Sequence, residues 1–351
     1  MIQAVGRDQG TRRQIREKIP TRRFRAERIF ERRDIRLRDV VYAPITRTLY
    51  RLAFVQLWSW VGRPPPVDVD SARLYDSLLS EFIEHAWSSG MTRGDAGNAL
   101  SASVHAYLGF PGKGRLSESW LLLNAWAKLE APFRAPPLPA LITLALIWLL
   151  VRKRRFDCAF LVAAGYDGFL RTGELLNLKN KDVRLDVNFL GAVKLAFTKS
   201  GQRHAAFESS VIQDKLVGRL FRMHERPSPH GNDPEPYIHP GSASSFYDLY
   251  EDGMAWLGVS HLRFKPYSIR RGGATSFYRT CRSMELTLER GRWATVRVGR
   301  IYINDGLAKE TEMKLPEATK YTLAIAAQAL ITWLQDERSS GRALQRNLSS
   351  R

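Results

Sequence analysis

The sequence predicts a mainly α-helical protein in two domains, the second carrying a small antiparallel β-sheet (α+β). Three observations carry this expectation. Apolar residues recur at helical spacing from Ser71 to Phe133. Prolines at 132, 136, 137 and 139 then interrupt the chain. After two strongly apolar segments, Asn188 to Phe207 alternates about the turn Lys199-Ser200-Gly201-Gln202, the pattern of a hairpin. The expected organisation is an arginine-rich, partly disordered N-terminal arm over 1–63, a helical domain over 64–136, a larger domain over 137–336 and a flexible tail over 337–351.

The chain has 351 residues, with 54 Lys plus Arg against 35 Asp plus Glu, a formal net charge of +19 and a pI near 10.2. A hydrophobic content of 44% supplies a core and excludes wholesale disorder. Two cysteines, Cys158 and Cys281, cannot staple so long a chain, so reduced thiols and an intracellular setting are expected, the nucleus in a eukaryote or the cytoplasm in a prokaryote. The first forty residues contain no apolar run of the kind that opens a secretory signal, and export is not expected. The positive surplus calls for a polyanion, and nucleic acid is the default because Lys and Arg displace condensed counterions from phosphates. Residues 1–63 hold 16 basic and 6 acidic side chains, residues 64–138 hold 6 and 8, and the remainder 32 and 21, so a near-neutral segment separates two basic ones.

Element by element, Pro64-Pro65-Pro66 reads as a stiff linker after the arm. The arm is either a nucleic-acid-binding arm or a solvated leader, and residues 40–62, more apolar, are read as packing on the body of the protein. Leu74, Leu78, Leu79, Phe82, Ile83 and Trp87 form one helical stripe that Asp70 or Ser71 can cap. Helices from about Ala96 to Leu108 and from about Glu118 to Leu129 follow, separated by the turn at 109–112. Gly112-Lys113-Gly114 lacks the spacing of a phosphate loop. Leu138 to Val151 is apolar for fourteen residues, whereas a bilayer span needs about twenty, so a buried helix over 139–152 is expected rather than a membrane segment. A second apolar helix covers 156–168. Residues 224–241 are a Pro-rich loop with His224, His230 and His239. No cysteine or carboxylate repeats at ligand spacing beside them, so no zinc site is expected there. A helix from Ala243 to Leu257 precedes the last basic region.

Taken singly, Arg171 would read as a helix-ending salt bridge, Lys199 as a solubility device, Trp293 as packing and Tyr302 as core. In chain order, however, Arg171 in FLRTGELLNLKNKDV, Lys199 in the hairpin, Tyr267-Ser268-Ile269-Arg270, Trp293 and Tyr302 form a series, with 23 residues from Arg270 to Trp293 and 9 from Trp293 to Tyr302. Over roughly residues 139–330 this resembles the catalytic domain of the tyrosine recombinases, or phage integrases. The segment SIRRGGATSFY is most similar to recombinases of eukaryotic mobile elements. The resemblance implies that 64–136 is a SAM-like core-binding domain and 137–336 the integrase-like catalytic domain. It also implies a site-specific recombinase or integrase that acts on double-stranded DNA as a dimer or tetramer, with no membrane involved.

The resemblance assigns roles as well. Tyr302 is the nucleophile, attacking a DNA phosphodiester to give a 3′-phosphotyrosyl bond and a free 5′-hydroxyl, without metal or cofactor. Arg171 and Arg270 match the two arginines, whose planar forks suit the non-bridging oxygens of a phosphorane. Lys199 matches the proton donor to the departing oxygen. Trp293 can donate its indole N–H to phosphate. The Tyr302 phenol, ordinarily of pKa about 10, needs a base or a cationic field, and Arg292, Arg297 and Arg300 nearby, with Arg271, are expected to supply charge or contact DNA backbone.

Two departures stand out. Tyr267 occupies the family's usual His position, which removes a group that titrates near neutrality but keeps a hydrogen-bond donor. The helical domain is also nearly neutral where the family clamps DNA. Two other readings therefore stay open: a catalytically impaired DNA-binding relative, and a type IB topoisomerase-like enzyme. Beyond Tyr302, residues 318–334 read as an apolar helix that docks on a neighbouring protomer or packs in cis.

Overall fold

The computed structural model describes residues 44–62, 72–106, 116–130, 134–195, 208–224 and 237–349. They divide into two compact units, one ending at Arg134 and the other starting at Ala135.

The first unit contains helices α1 (Pro44–Val61), α2 (Ala72–Ser88), α3 (Arg93–Ala106) and α4 (Ser117–Leu129). Helix α1 packs on α3 and α2 on α4, around Leu57, Trp58, Tyr75, Leu79, Phe82, Ile83, Leu100, Leu123 and Trp126. Residues 44–61, counted with the arm in the sequence reading, are thus part of this core, because burying Leu57 and Trp58 stabilises their helix. The apolar stripe of α2 is also rotated from the one expected. Leu74 and Trp87 are exposed, and Tyr75, Leu79, Phe82, Ile83 and Ala86 face inward. Helix α4 has no side-chain cap of its own. Instead the buried Asp76 of α2 accepts hydrogen bonds from the backbone N–H groups of Glu118 (3.0 Å) and Ser119 (2.9 Å), capping α4 from a neighbouring helix. The residues expected to cap α2, Asp70 and Ser71, and the turn at 109–112 lie outside the described residues.

The second unit is built on α5 (Ala140–Arg152) and α6 (Phe156–Asp167), which pack on each other. Both are apolar around most of their circumference because other elements cover them. Among the described residues no helix is long and apolar enough to cross a membrane. A short helix α7 (Thr172–Leu175) leads into a three-stranded antiparallel sheet, β1 (Val183–Leu185), β2 (Gly191–Leu195) and β3 (Glu208–Ile212), in that order. The β2–β3 register runs from Gly191 opposite Ile212 to Leu195 opposite Glu208. The turn expected between them, with Lys199, lies outside the described residues. The remaining helices are α8 (Lys215–His224), α9 (Ala243–Trp256), α10 (Tyr267–Cys281), α11 (Met284–Gly291), α12 (Val296–Tyr302), α13 (Asp305–Met313) and α14 (Glu317–Ser349). Helix α14 lies on α5 through Leu323, Ala326 and Leu330, and continues through most of the stretch expected to be a loose tail.

Helix α10 runs close against the backbone of α6 and of the segment before α5, and this approach depends on two glycines. A Cβ on Gly273 would fall onto the carbonyl oxygen of Tyr166, and one on Gly272 onto that of Leu138. Neither obstacle is a side chain that can turn away. Gly273→Ala is expected to destabilise the protein by about 1–3 kcal/mol, the usual cost of overpacking, seen as a lower urea midpoint at unchanged slope.

Candidate active site

Five of the residues singled out in the sequence converge at the C-terminal end of α6 and the facing parts of α10, α11 and α12. The chain leaves α6 through Gly168 and Phe169, the latter in left-handed backbone (φ 48°), and Arg171 then caps the short helix α7. The third residue of that helix, Glu174, reaches back to its start: its carboxylate accepts the Arg171 backbone N–H at 2.8 Å. The same carboxylate is 4% exposed and collects guanidiniums. Arg171 Nη1 lies 2.5 Å from Oε1, while Arg292 Nη2 lies 2.9 Å and Arg270 Nη1 3.9 Å from Oε2.

Arg270, 1% exposed on the first turn of α10, donates to the carbonyls of Phe169 and, at 3.0 Å, Gly291. Its guanidinium carbon lies 4.8 Å from the centre of the Tyr302 ring and 5.1 Å from that of Trp293. Trp293 and Tyr302 stack at 4.4 Å with 19° between planes, and Phe169 in turn stacks on Trp293 at 6.2 Å. Tyr302 is fixed from behind as well, because the Thr275 hydroxyl donates to its carbonyl oxygen at 3.3 Å and accepts from Asn304 N–H at 3.2 Å. Tyr267 stands 5.8 Å from Tyr302, ring centre to ring centre. Among the described residues, the buried Nε of Arg270 and the indole Nε1 of Trp293 have no hydrogen-bond acceptor.

The charges act on the two phenols in opposite directions. Burial raises the Tyr302 pKa, but the hydrogen bond from Tyr267 and the positive charges of Arg270 and Arg171 outweigh it, and the net shift is downward. For Tyr267, burial and the same hydrogen bond raise the pKa, since Tyr267 is the donor and keeps its proton. Burial, and next the charge of Arg171, push Arg270 down to about 10, which leaves it protonated at neutral pH. Arg171 moves upward, because the Glu174 carboxylate outweighs burial.

The four other arginines separate into two pairs. Arg297 and Arg300 are exposed on α12. Arg271 is buried and donates to the carbonyl of Ala135. Arg292 donates to the Gly168 carbonyl at 3.3 Å and pairs with Glu174 and Glu208. The guanidiniums of Arg271 and Arg292 are therefore directed into the fold, where the expectation for them was to supply charge or contact DNA backbone. Their positions follow from α10 burying its first two turns and from α11 ending against α7. Lys199 lies outside the described residues. Glu174 was not singled out from sequence, although its place three residues after a helix-capping position is a recognisable signal.

No family model matches the chain, and no curated relative is found. Solved structures do resemble it. The XerH site-specific recombinase bound to a palindromic difH substrate, in a post-cleavage complex, is 14% identical, with 79% of each chain covered and a TM-score of 0.52. The Tn1549 transposon integrase with circular-intermediate DNA is 14% identical, covering 83% of this chain and 97% of that one, at a TM-score of 0.49. The likeness to XerH shows that this chain shares the fold of that site-specific recombinase, mostly helical with a small antiparallel sheet.

The geometry sets two expected outcomes for the site. In an ultraviolet phenolate titration, the transition lost in Tyr302→Phe lies below the ordinary tyrosine range, and in Tyr267→Phe it moves up, because the donated hydrogen bond is gone. A folded pKa below the unfolded one means that the folded state releases its proton first, so Tyr302 adds stability as pH rises from its depressed pKa towards about 10. Glu174→Ala leaves three guanidiniums without their shared carboxylate and should cost about 3–5 kcal/mol in denaturant unfolding.

Proposed function

We propose that this chain is a site-specific DNA recombinase or integrase that cleaves and rejoins DNA through a phosphotyrosyl bond on Tyr302. The observation that carries the reading is a phenol of lowered pKa set among guanidiniums, beside two buried donors that have no acceptor among the described residues. Buried donors without partners are costly, and an anion held between Arg270 and Trp293 would satisfy them. A phosphodiester is an anion with the required geometry for two planar forks.

In the proposed reaction Tyr302 gives up its proton to solvent, its oxygen attacks phosphorus, the bond from phosphorus to the 5′-oxygen breaks, and a 3′-phosphotyrosyl ester forms. Tyr267 donates to the Tyr302 oxygen and favours the phenolate. Arg171 and Arg270 neutralise the non-bridging oxygens at the transition state, with the Trp293 N–H as a third donor. Lys199, the position that the family resemblance matches to the proton donor, protonates the departing 5′-oxygen. Reversal with an incoming 5′-hydroxyl rejoins the strand, so the phosphodiester energy is retained.

The partner under this reading is double-stranded DNA. The net charge of +19 and the exposed Arg297 and Arg300 beside the nucleophile support it, as does the DNA-bound state of the XerH structure. The helical unit is proposed as the core-binding domain, and action as a dimer or tetramer on DNA, within a mobile element, belongs to the same reading.

A nicked suicide duplex, from which the cleaved 5′ end diffuses away, tests it. The wild-type protein should accumulate a covalent adduct mapping to the Tyr302 peptide, Tyr302→Phe should give none, and Arg270→Lys should slow its formation by about 10²–10³. A folded wild-type protein that binds DNA but forms no adduct on any cleavable duplex would mark it as a binding protein only. Relaxation of supercoils without strand exchange would mark it as a topoisomerase.

A further inference from the structure

At the opposite end of α6 from Tyr302, a second buried cluster takes no part in the proposed DNA chemistry. Asp157 and Cys158 lie in the first turn of α6, and His239 reaches them from the segment before α9. All three are buried, with exposures of 8%, 1% and 2%. His239 Nδ1 is 2.8 Å from Asp157 Oδ2 and 3.7 Å from Cys158 Sγ, and Sγ is 3.5 Å from Oδ2. The Nη2 of Arg155 lies 2.8 Å from Oδ2, 3.3 Å from Sγ and 3.4 Å from Nδ1. One positively charged nitrogen thus faces all three potential ligands.

We propose that Asp157, Cys158 and His239 form a binding site for a borderline-soft divalent cation of the Zn²⁺ class, and that Arg155 is a built-in surrogate that the metal displaces. Geometry supports the donor set. Ligand distances of about 2.0–2.3 Å around a tetrahedral Zn²⁺ put neighbouring donor atoms about 3.3–3.6 Å apart. The two distances to sulfur already fall at that scale, and the Asp157–His239 pair needs to open by roughly 0.5 Å. Thiolate, imidazole and carboxylate together suit Zn²⁺ better than Mg²⁺ or Ca²⁺, which take oxygen ligands.

The surrounding groups are arranged to match. A metal on Nδ1 requires the ring proton on Nε2, and that atom faces the Ser242 carbonyl at 3.2 Å and the Ser245 hydroxyl at 2.9 Å, the outer partners that orient a metal-bound imidazole. The side chain of Arg155 is 35% exposed, so its guanidinium can swing into water without rebuilding the core. On binding, the Cys158 thiol releases its proton to solvent, the imidazole carries its proton on Nε2, and water takes the fourth position vacated by Nη2. The metal would join the start of α6 to the segment leading into α9. This inference is independent of the proposed DNA chemistry, since the cluster lies at the start of α6, a 12-residue helix about 18 Å long whose other end leads to Arg171.

The test is titration of the chelator-treated, full-length protein with Co²⁺ and then Zn²⁺. One equivalent of Co²⁺ should produce a thiolate-to-cobalt charge-transfer band, which Zn²⁺ bleaches while raising the melting temperature. The band should be lost in Cys158→Ala and kept in Cys281→Ser. Arg155→Ala, which removes the competing cation, should tighten binding by roughly tenfold or more, a gain that misfolding cannot mimic. Absence of the band in the wild type, its survival in Cys158→Ala, or an Arg155→Ala variant that binds no more tightly would each overturn the proposal.

Discussion

The candidate site depends on one buried carboxylate. Three guanidiniums, those of Arg171, Arg270 and Arg292, gather within 4 Å of Glu174, and like charges so close in a poorly solvated place would repel without it. Glu174 also accepts the Arg171 backbone N–H, which holds the end of the α6–α7 turn in place. A single side chain thereby ties α7, α10 and the end of α11 together, and the surplus positive charge left after pairing bears on Tyr302. The depressed phenol is a consequence of that surplus combined with the hydrogen bond from Tyr267.

The rest of the fold brings these elements to that carboxylate. Gly272 and Gly273 let α10 lie against backbone rather than side chains, which buries Arg270 where its donors reach the Phe169 and Gly291 carbonyls. Those carbonyls orient the guanidinium without neutralising it. Trp293 then fills the space between Phe169 and Tyr302 as the middle ring of a stack, so the aromatic wall and the cationic wall meet at the Tyr302 ring.

Helix α6 is organised by charge at both ends. Its C-terminal end opens into the arginine cluster, and its N-terminal end holds Asp157, Cys158 and Arg155 against His239. Each end joins an acidic group to a guanidinium in a buried setting, where an unpaired charge of either sign would be costly. The two clusters differ in what they leave over: phenols, and donors without an acceptor among the described residues, at one end, a thiol and an imidazole at the other.

The amino-acid sequence by itself determined the local patterns. Helical periodicity over 72–129, the proline joint, the strand alternation and the chain order of Arg171, Tyr267, Arg270, Trp293 and Tyr302 all depend on neighbours a few residues away or on spacing, so they can be read from the linear chain. Only the tertiary structure decided which faces and charges are covered. It put 44–61 into the helical core, rotated the buried face of α2, carried α14 through the expected tail, and turned Arg271 and Arg292 inward while leaving Arg297 and Arg300 at the surface. It likewise made Glu174 the centre of the site and joined His239 to Cys158. The physical reason is common to all of these. Burial and ion pairing belong to pairs of elements far apart in the chain, and the free energy of a charge is set by what packs against it rather than by the residues beside it in sequence.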